Sequence, residues 1–245
     1  MLICHVAPYY GPTIRPVTRS YRTTGVTMGR IISVCSSKGG VSKSVINMVI
    51  SGTLAAMGYK VAVIDADPNA CFINWHKLYE GAPIDCTAEI QQDAIVDHAQ
   101  AKATEYDVVM IDTAGFGNTT AAFAAGTADF VIVPVMPDRS SAVEAMRTIR
   151  QVKAFAKASR RDIPLAMLCS RWNGRGLVER AVLSDLQSSG HTVLSSYLSD
   201  LSDFGKMTLS GRVPLSGKVS FQVSKIIKEL MALKAIPAKP TKRAA

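Results

Sequence analysis

The chain has 245 residues, 48% of them hydrophobic, which suffices for one substantial core, and it carries a formal net charge of +9. No run reaches the roughly 18 apolar residues of a membrane-spanning helix. Five cysteines without a CxxC pair and four scattered histidines argue against a disulfide framework or a zinc site. The charge favours a polyanion as partner, either nucleic acid or an anionic membrane surface, without choosing between them.

Residues 1–27 contain Arg15, Arg19 and Arg22 but no continuous apolar stretch, so they do not read as a secretory signal. Two readings stand, a disordered arm or an upstream extension ahead of a start at Met28. The first convincing strand begins at Ile31 and covers 31–35. A glycine-bearing loop follows, then helical spacing over 44–57 with Gly58 as its stop. Further strands are expected at 60–65, 107–112, 130–135 and 164–169, with another at 192–197. Uninterrupted apolar strands alternating with helices imply an α/β fold: a mostly parallel, twisted sheet with helices on both faces. Its ligand site belongs at the carboxyl ends of the strands. The domain is expected to span 28–234, and residues 235–245, rich in Pro, Lys and Ala, read as a disordered basic tail.

The most informative stretch is Lys38-Gly39-Gly40-Val41-Ser42-Lys43-Ser44, between a strand and a helix. Small residues let backbone N–H groups turn inward around phosphate oxygens, and the following helix directs its positive end at the same charge. In such a loop Lys43 reaches the β- and γ-phosphates and the Ser44 hydroxyl binds magnesium, which makes ATP and Mg²⁺ the expected ligands. Two aspartates stand at strand ends, in Asp65-Ala66-Asp67-Pro68 and at Asp112 in DVVMIDTAG. Each taken singly is as well explained as a helix cap.

Together these elements resemble the ParA/MinD family of deviant Walker A P-loop ATPases, over residues 31–213. The resemblance implies that Lys38 reaches across a nucleotide-sandwiched dimer to the partner's phosphates. It further implies that Asp67 orients the attacking water and that Asp112 holds magnesium through water. An Asn74-Trp75 pair is similar to small plasmid-partition and VirC-type members. The run 131–146 resembles the segment whose proline loop lines the nucleotide or dimer surface, which suggests Pro137 and Asp138. One departure is plain: the family has glycine where this chain has Ser42. If the position needs a positive φ, serine there costs on the order of 1 kcal/mol. ATP binding is then expected to survive better than turnover.

The resemblance implies a short-form partition ATPase, without a helix-turn-helix domain ahead of its loop. It implies a homodimer on ATP binding, nonspecific contact with duplex DNA, a ParB-like centromere-binding adaptor and a cytoplasmic, nucleoid-associated location. Two basic sets are candidates for the DNA face. Arg150 and Lys153 lie beside an apolar stripe of Ala145, Ile149, Val152 and Ala156, and Lys206, Arg212, Lys218, Lys225 and Lys228 lie nearer the C terminus. Neither has the aromatic interleaving of a single-strand binder, so duplex phosphate contact is expected. Two alternatives remain. One is a MinD-like membrane switch, in which Phe221, Val223, Ile226, Ile227, Leu230 and Leu233 form an anchoring face. The polar tail argues against it. The other is an ATP-binding scaffold that does not hydrolyse, on account of Ser42.

Overall fold

The computed structural model describes residues 28–115 and 119–238. The apolar runs form β1 (Arg30–Ser36), β2 (Val61–Ala66), β3 (Ile84–Ala88), β4 (Val108–Gly115), β5 (Phe130–Val135) and β6 (Leu165–Cys169). All neighbours are parallel, in the order β3-β2-β4-β1-β5-β6. Among the described residues eight helices connect or follow them: α1 (Lys43–Ala56), α2 (Cys71–His76), α3 (Ala94–Glu105), α4 (Thr119–Thr127), α5 (Arg139–Ala158), α6 (Leu177–Ser188), α7 (Ser202–Ser210) and α8 (Gly217–Ala232).

Alternate residues of each strand feed opposite cores, as the two-residue period of a strand requires. Ile32, Val34, Val63, Met110 and Ile132 pack beneath α1, α2, α7 and α8. Ile31, Cys35, Ile64, Ile111 and Val133 pack beneath α3, α4, α5 and α6. Both faces of the sheet are therefore covered, which is why its strands carry no polar alternation. Gly58, at φ 89°, takes the left-handed conformation just beyond α1 and ends it where the sequence indicates.

Two expectations about strands are corrected. The edge strand β3 is missing from the sequence reading because its residues, Ile-Asp-Cys-Thr-Ala, are short and mixed in polarity. The expected strand at 192–197 is a single parallel bridge, Met167 to Val193. Its physical cause is Glu229 of α8, whose carboxylate accepts the Ser195 and Ser196 backbone N–H groups at 2.7 and 2.8 Å. Leu194 donates its N–H to the Met167 carbonyl, so by strand alternation the Ser196 N–H would face β6 next, and Glu229 holds it instead. Contact with that strand resumes only at Leu198, whose N–H donates to the Cys169 carbonyl at 3.0 Å.

The C-terminal packing also runs further than the sequence suggests. Ala235 and Ile236, assigned there to the tail, are buried. The Tyr59 hydroxyl donates to the Pro237 carbonyl at 3.1 Å, and the Arg30 guanidinium to the Lys234 carbonyl at 2.7 Å. Of the six apolar residues that would anchor α8 in a membrane, Val223, Ile226, Ile227 and Leu230 lie in the core under α1. Withdrawing them would cost about 1.5–3 kcal/mol apiece. Only Phe221 and Leu233 face outward. No helix among the described residues is long and apolar enough to cross a membrane.

Candidate functional site

The loop 37–42 joins the carboxyl end of β1 to the first residue of α1. Two of its residues need a left-handed backbone, Gly40 at φ 73° and Ser42 at φ 70°. Glycine takes that conformation freely and serine does not, so the strain expected from the sequence is present at Ser42. Its hydroxyl makes no capping hydrogen bond to offset the strain. A Cβ placed on Gly39 or Gly40 would meet no atom of the described residues within 4 Å. The loop thus opens onto free space, at the end of a helix with no acidic residue in its first turn. That is the arrangement in which a helix N-terminus receives an anion.

Lys43 lies at this opening, 9% exposed, with its Nζ directed back to the Lys38 carbonyl at 3.5 Å. Sheet register brings the carboxylates to the same end. Asp112 on β4 stands opposite Val34 on β1 and Asp65 on β2. Burial pushes the Asp112 carboxyl up to about 7, and the nearby Asp65 charge acts in the same direction. The Ser44 hydroxyl, the Asn47 amide and the Lys43 ammonium oppose that rise. Its Oδ1 accepts from Asn47 Nδ2 at 2.8 Å, while its Oδ2 is buried and accepts no hydrogen bond of normal geometry. A buried carboxylate oxygen without a donor, beside a serine hydroxyl at the head of α1, suits a hydrated hard cation. The residues therefore fit magnesium.

Asp65 is the cap of the pair. It accepts the Asp67 N–H at 3.1 Å and the Ile73 N–H at 2.9 Å. Burial holds its carboxyl above the ordinary value, against the pull of those N–H groups. Asp67 is half-buried and accepts both the N–H and the side-chain amide of Asn69 on Oδ1, each at 2.9 Å. That turn fixes its carboxylate at the mouth of the strand end.

Lys38 does not point into the loop. Its Nζ donates to both carboxylate oxygens of Asp138, at 2.8 and 3.0 Å, and to Ser140 Oγ at 2.8 Å. Asp138 also caps α5 by accepting the Ser141 N–H at 2.8 Å. Desolvation is the largest single influence and pushes its carboxyl up, yet Lys38, the Ser141 N–H and the Ser140 hydroxyl together hold it below the usual carboxylate range. Pro137 precedes that cap in the turn between β5 and α5. A second tie lies one residue earlier, where Thr148 Oγ1 accepts the Ser37 N–H at 3.0 Å.

Beside Ser42 opens a cleft of ≈ 420 Å³, lined by Ser42, Val45, Ser170, Arg171, Ser199 and Phe204 among others. Sequence reasoning missed this wall. The available signal was positional: Ser170 and Arg171 follow β6 directly, at the end of the sheet where ligands gather.

The VirC1 protein family matches residues 29–228. The chain belongs to that family. This VirC1-family chain is 28% identical over 140 residues to protein ParA of Rhizobium radiobacter, covering 56% of the chain and 63% of that relative. It therefore spans somewhat under two thirds of that relative's length. Protein virC1 of Rhizobium rhizogenes is 25% identical over 194 residues, covering 76% of the chain and 84% of the relative. The fold is that of a plasmid partition protein from Borrelia burgdorferi B31, crystallised with AMPPNP. Their TM-score is 0.68 at 16% identity, over 84% of this chain and 99% of that one. The same fold is shared with the MinD cell division protein of Aquifex aeolicus, at a TM-score of 0.68 and 18% identity over 88% of this chain and 100% of that one.

The basic residues divide within this frame. α5 and α8 lie on opposite faces of the sheet, so Arg150 and Lys153 are remote from Lys218, Lys225 and Lys228. Arg212 is bound by Glu80 at 2.9 Å and Lys206 approaches Asp203 at 3.8 Å. Lys153 meets the His191 ring at 3.3 Å. Lys218, Lys225 and Lys228 are exposed and make no ion pair among the described residues. Lys225 stacks over Phe221 at 4.6 Å from the ring centroid. The four candidate cysteines among the described residues are free, and no metal-ligand cluster of His, Cys, Asp and Glu occurs there.

Proposed function

We propose that this chain binds Mg-ATP in the 37–44 loop, dimerises around it and, in that state, holds duplex DNA without sequence preference. The observation that carries the reading is the buried, unpaired Asp112 Oδ2 beside Lys43 and an open glycine loop. In this reading the β- and γ-phosphates occupy the space over Gly39 and Gly40, with Lys43 facing them. Ser44 and Asp112 would hold the magnesium ion, which supplies charge neutralisation between the β- and γ-oxygens. Asp67 positions the water that attacks the γ-phosphate. The base and sugar lie in the cleft walled by Ser170 and Arg171.

Lys38 would leave Asp138 to reach the partner's phosphates. Their pair is 27% and 41% exposed, so it is worth at most about 1 kcal/mol and opposes that move weakly. Dimerisation doubles the cationic surface presented to one duplex, which makes DNA binding depend on ATP. The unpaired lysines of α8 favour that helix as the DNA face, and a ParB-like adaptor would stimulate release. Such a protein works in the cytoplasm, on the nucleoid.

The backbone at Ser42 favours a second reading, an ATP-dependent scaffold with little turnover, since strain sits where phosphate geometry matters most. One set of measurements separates these readings: binding to duplex DNA and to anionic liposomes, with and without Mg-ATP, alongside hydrolysis in the same sample. The proposal expects DNA binding only with Mg-ATP, and none by Lys43→Ala. Equal DNA binding without nucleotide, or ATP-dependent binding to liposomes alone, would refute it.

A further inference from the structure

We propose that Asn47 is a positioning residue that aims the Asp112 carboxylate at the metal. It sits one turn into α1 and is completely buried. Its Nδ2 reaches two acceptors, the Lys43 carbonyl at 3.2 Å and Asp112 Oδ1 at 2.8 Å. One amide thereby ties the Lys43 backbone on α1 to the carboxylate on β4. Asp112 Oδ2, which lies beside the Ser44 hydroxyl, accepts no hydrogen bond of normal geometry among the described residues.

The chemistry explains the choice of side chain. A buried carboxylate with no donor would be free to rotate about its terminal torsion, and neither oxygen would be fixed. An amide donor on Oδ1 locks the plane and leaves Oδ2 available to a metal-bound water. Asparagine contributes no charge, so it does not compete with magnesium as a second carboxylate or a lysine would. Side chains that orient metal-binding groups in this way typically change metal affinity or activity on the order of 10–100-fold when removed. Asn47 is completely buried a full turn into α1 from Lys43, so its effect is expected on the metal and not on nucleotide capture. The assignment rests on the Mg-ATP reading above.

The test uses the full chain and Mn²⁺ as the probe, followed by its electron paramagnetic resonance signal in the presence of a nonhydrolysable ATP analogue. Fluorescent-nucleotide affinity in EDTA serves as the second readout. Asn47→Ala is expected to weaken Mn²⁺ binding 10-fold or more while leaving metal-free nucleotide affinity within about twofold. Asn47→Leu, which fills the same buried space without a donor, guards against loss of packing and is expected to weaken Mn²⁺ binding as Asn47→Ala does. Unchanged Mn²⁺ affinity in folded Asn47→Ala, or parallel loss of both affinities in the two variants, would overturn the assignment. If the unaltered chain binds no nucleotide at all, the Mg-ATP reading itself falls.

Discussion

Replacing Ser42 with glycine should stabilise this protein, against the usual direction for a loop serine that precedes a helix. The position is held at φ 70°, ψ 24°, where a side chain costs about 1–2 kcal/mol. Glycine regains that energy but loses about 0.5–1 kcal/mol through its greater freedom in the unfolded chain. A serine at a helix N-cap ordinarily contributes through its hydroxyl, yet Ser42 makes no such bond, so nothing is lost there. The balance is a gain of about 1 kcal/mol, or roughly 2–4 °C in Tm for a domain of this size. Thermal unfolding followed by circular dichroism reads it directly. Ser42→Ala is the control: it keeps the Cβ and its strain, and should lie within about 0.5 kcal/mol of the parent. ATP turnover of Ser42→Gly should rise as well, since the loop gains the freedom that phosphate geometry uses. Equal stability of the Gly, Ala and Ser proteins would refute the strain argument, and a parent that already turns over as fast as Ser42→Gly would refute its link to catalysis.

The Asp112 carboxyl binds its proton more tightly in the folded chain, at about 7 against an ordinary 3.8, so it favours the native state at low pH. That contribution is lost as pH rises from about 4 to 7. Without metal or nucleotide, Tm should therefore fall across this window more steeply in the parent than in Asp112→Asn, as denaturation at a series of pH values would show. A matching slope in the variant would remove Asp112 as the cause. For DNA, Lys225→Glu with Lys228→Glu should weaken duplex binding on all sequences alike and flatten its salt dependence, each lost phosphate contact removing about 0.9 from the log–log slope. Arg150→Glu with Lys153→Glu is the comparison from the other face of the sheet. Gel-shift titrations at several salt concentrations distinguish them, and parent-like binding by both double variants would leave the DNA reading without a surface.

What the sequence determined by itself was whatever depends on local pattern. Five of the six strands show as apolar runs because a doubly covered sheet needs no polar alternation, and the loop 38–44 shows because phosphate binding requires small residues between a strand and a helix. Even the strain at Ser42 was legible, since one side chain stands where the family pattern has glycine. Tertiary structure decided what depends on partners distant in the chain. Glu229 turned an expected strand at 192–197 into a single bridge by taking the Ser196 N–H that would face β6. The core beneath α1 claimed four of the α8 residues that a membrane anchor would need. Asp138 took hold of Lys38 from 100 residues away, and Asn47 reached Asp112 across 65. Neither pairing leaves a trace in spacing or composition, because a hydrogen bond between residues on different elements is fixed by sheet register and helix placement, which no short stretch of sequence contains.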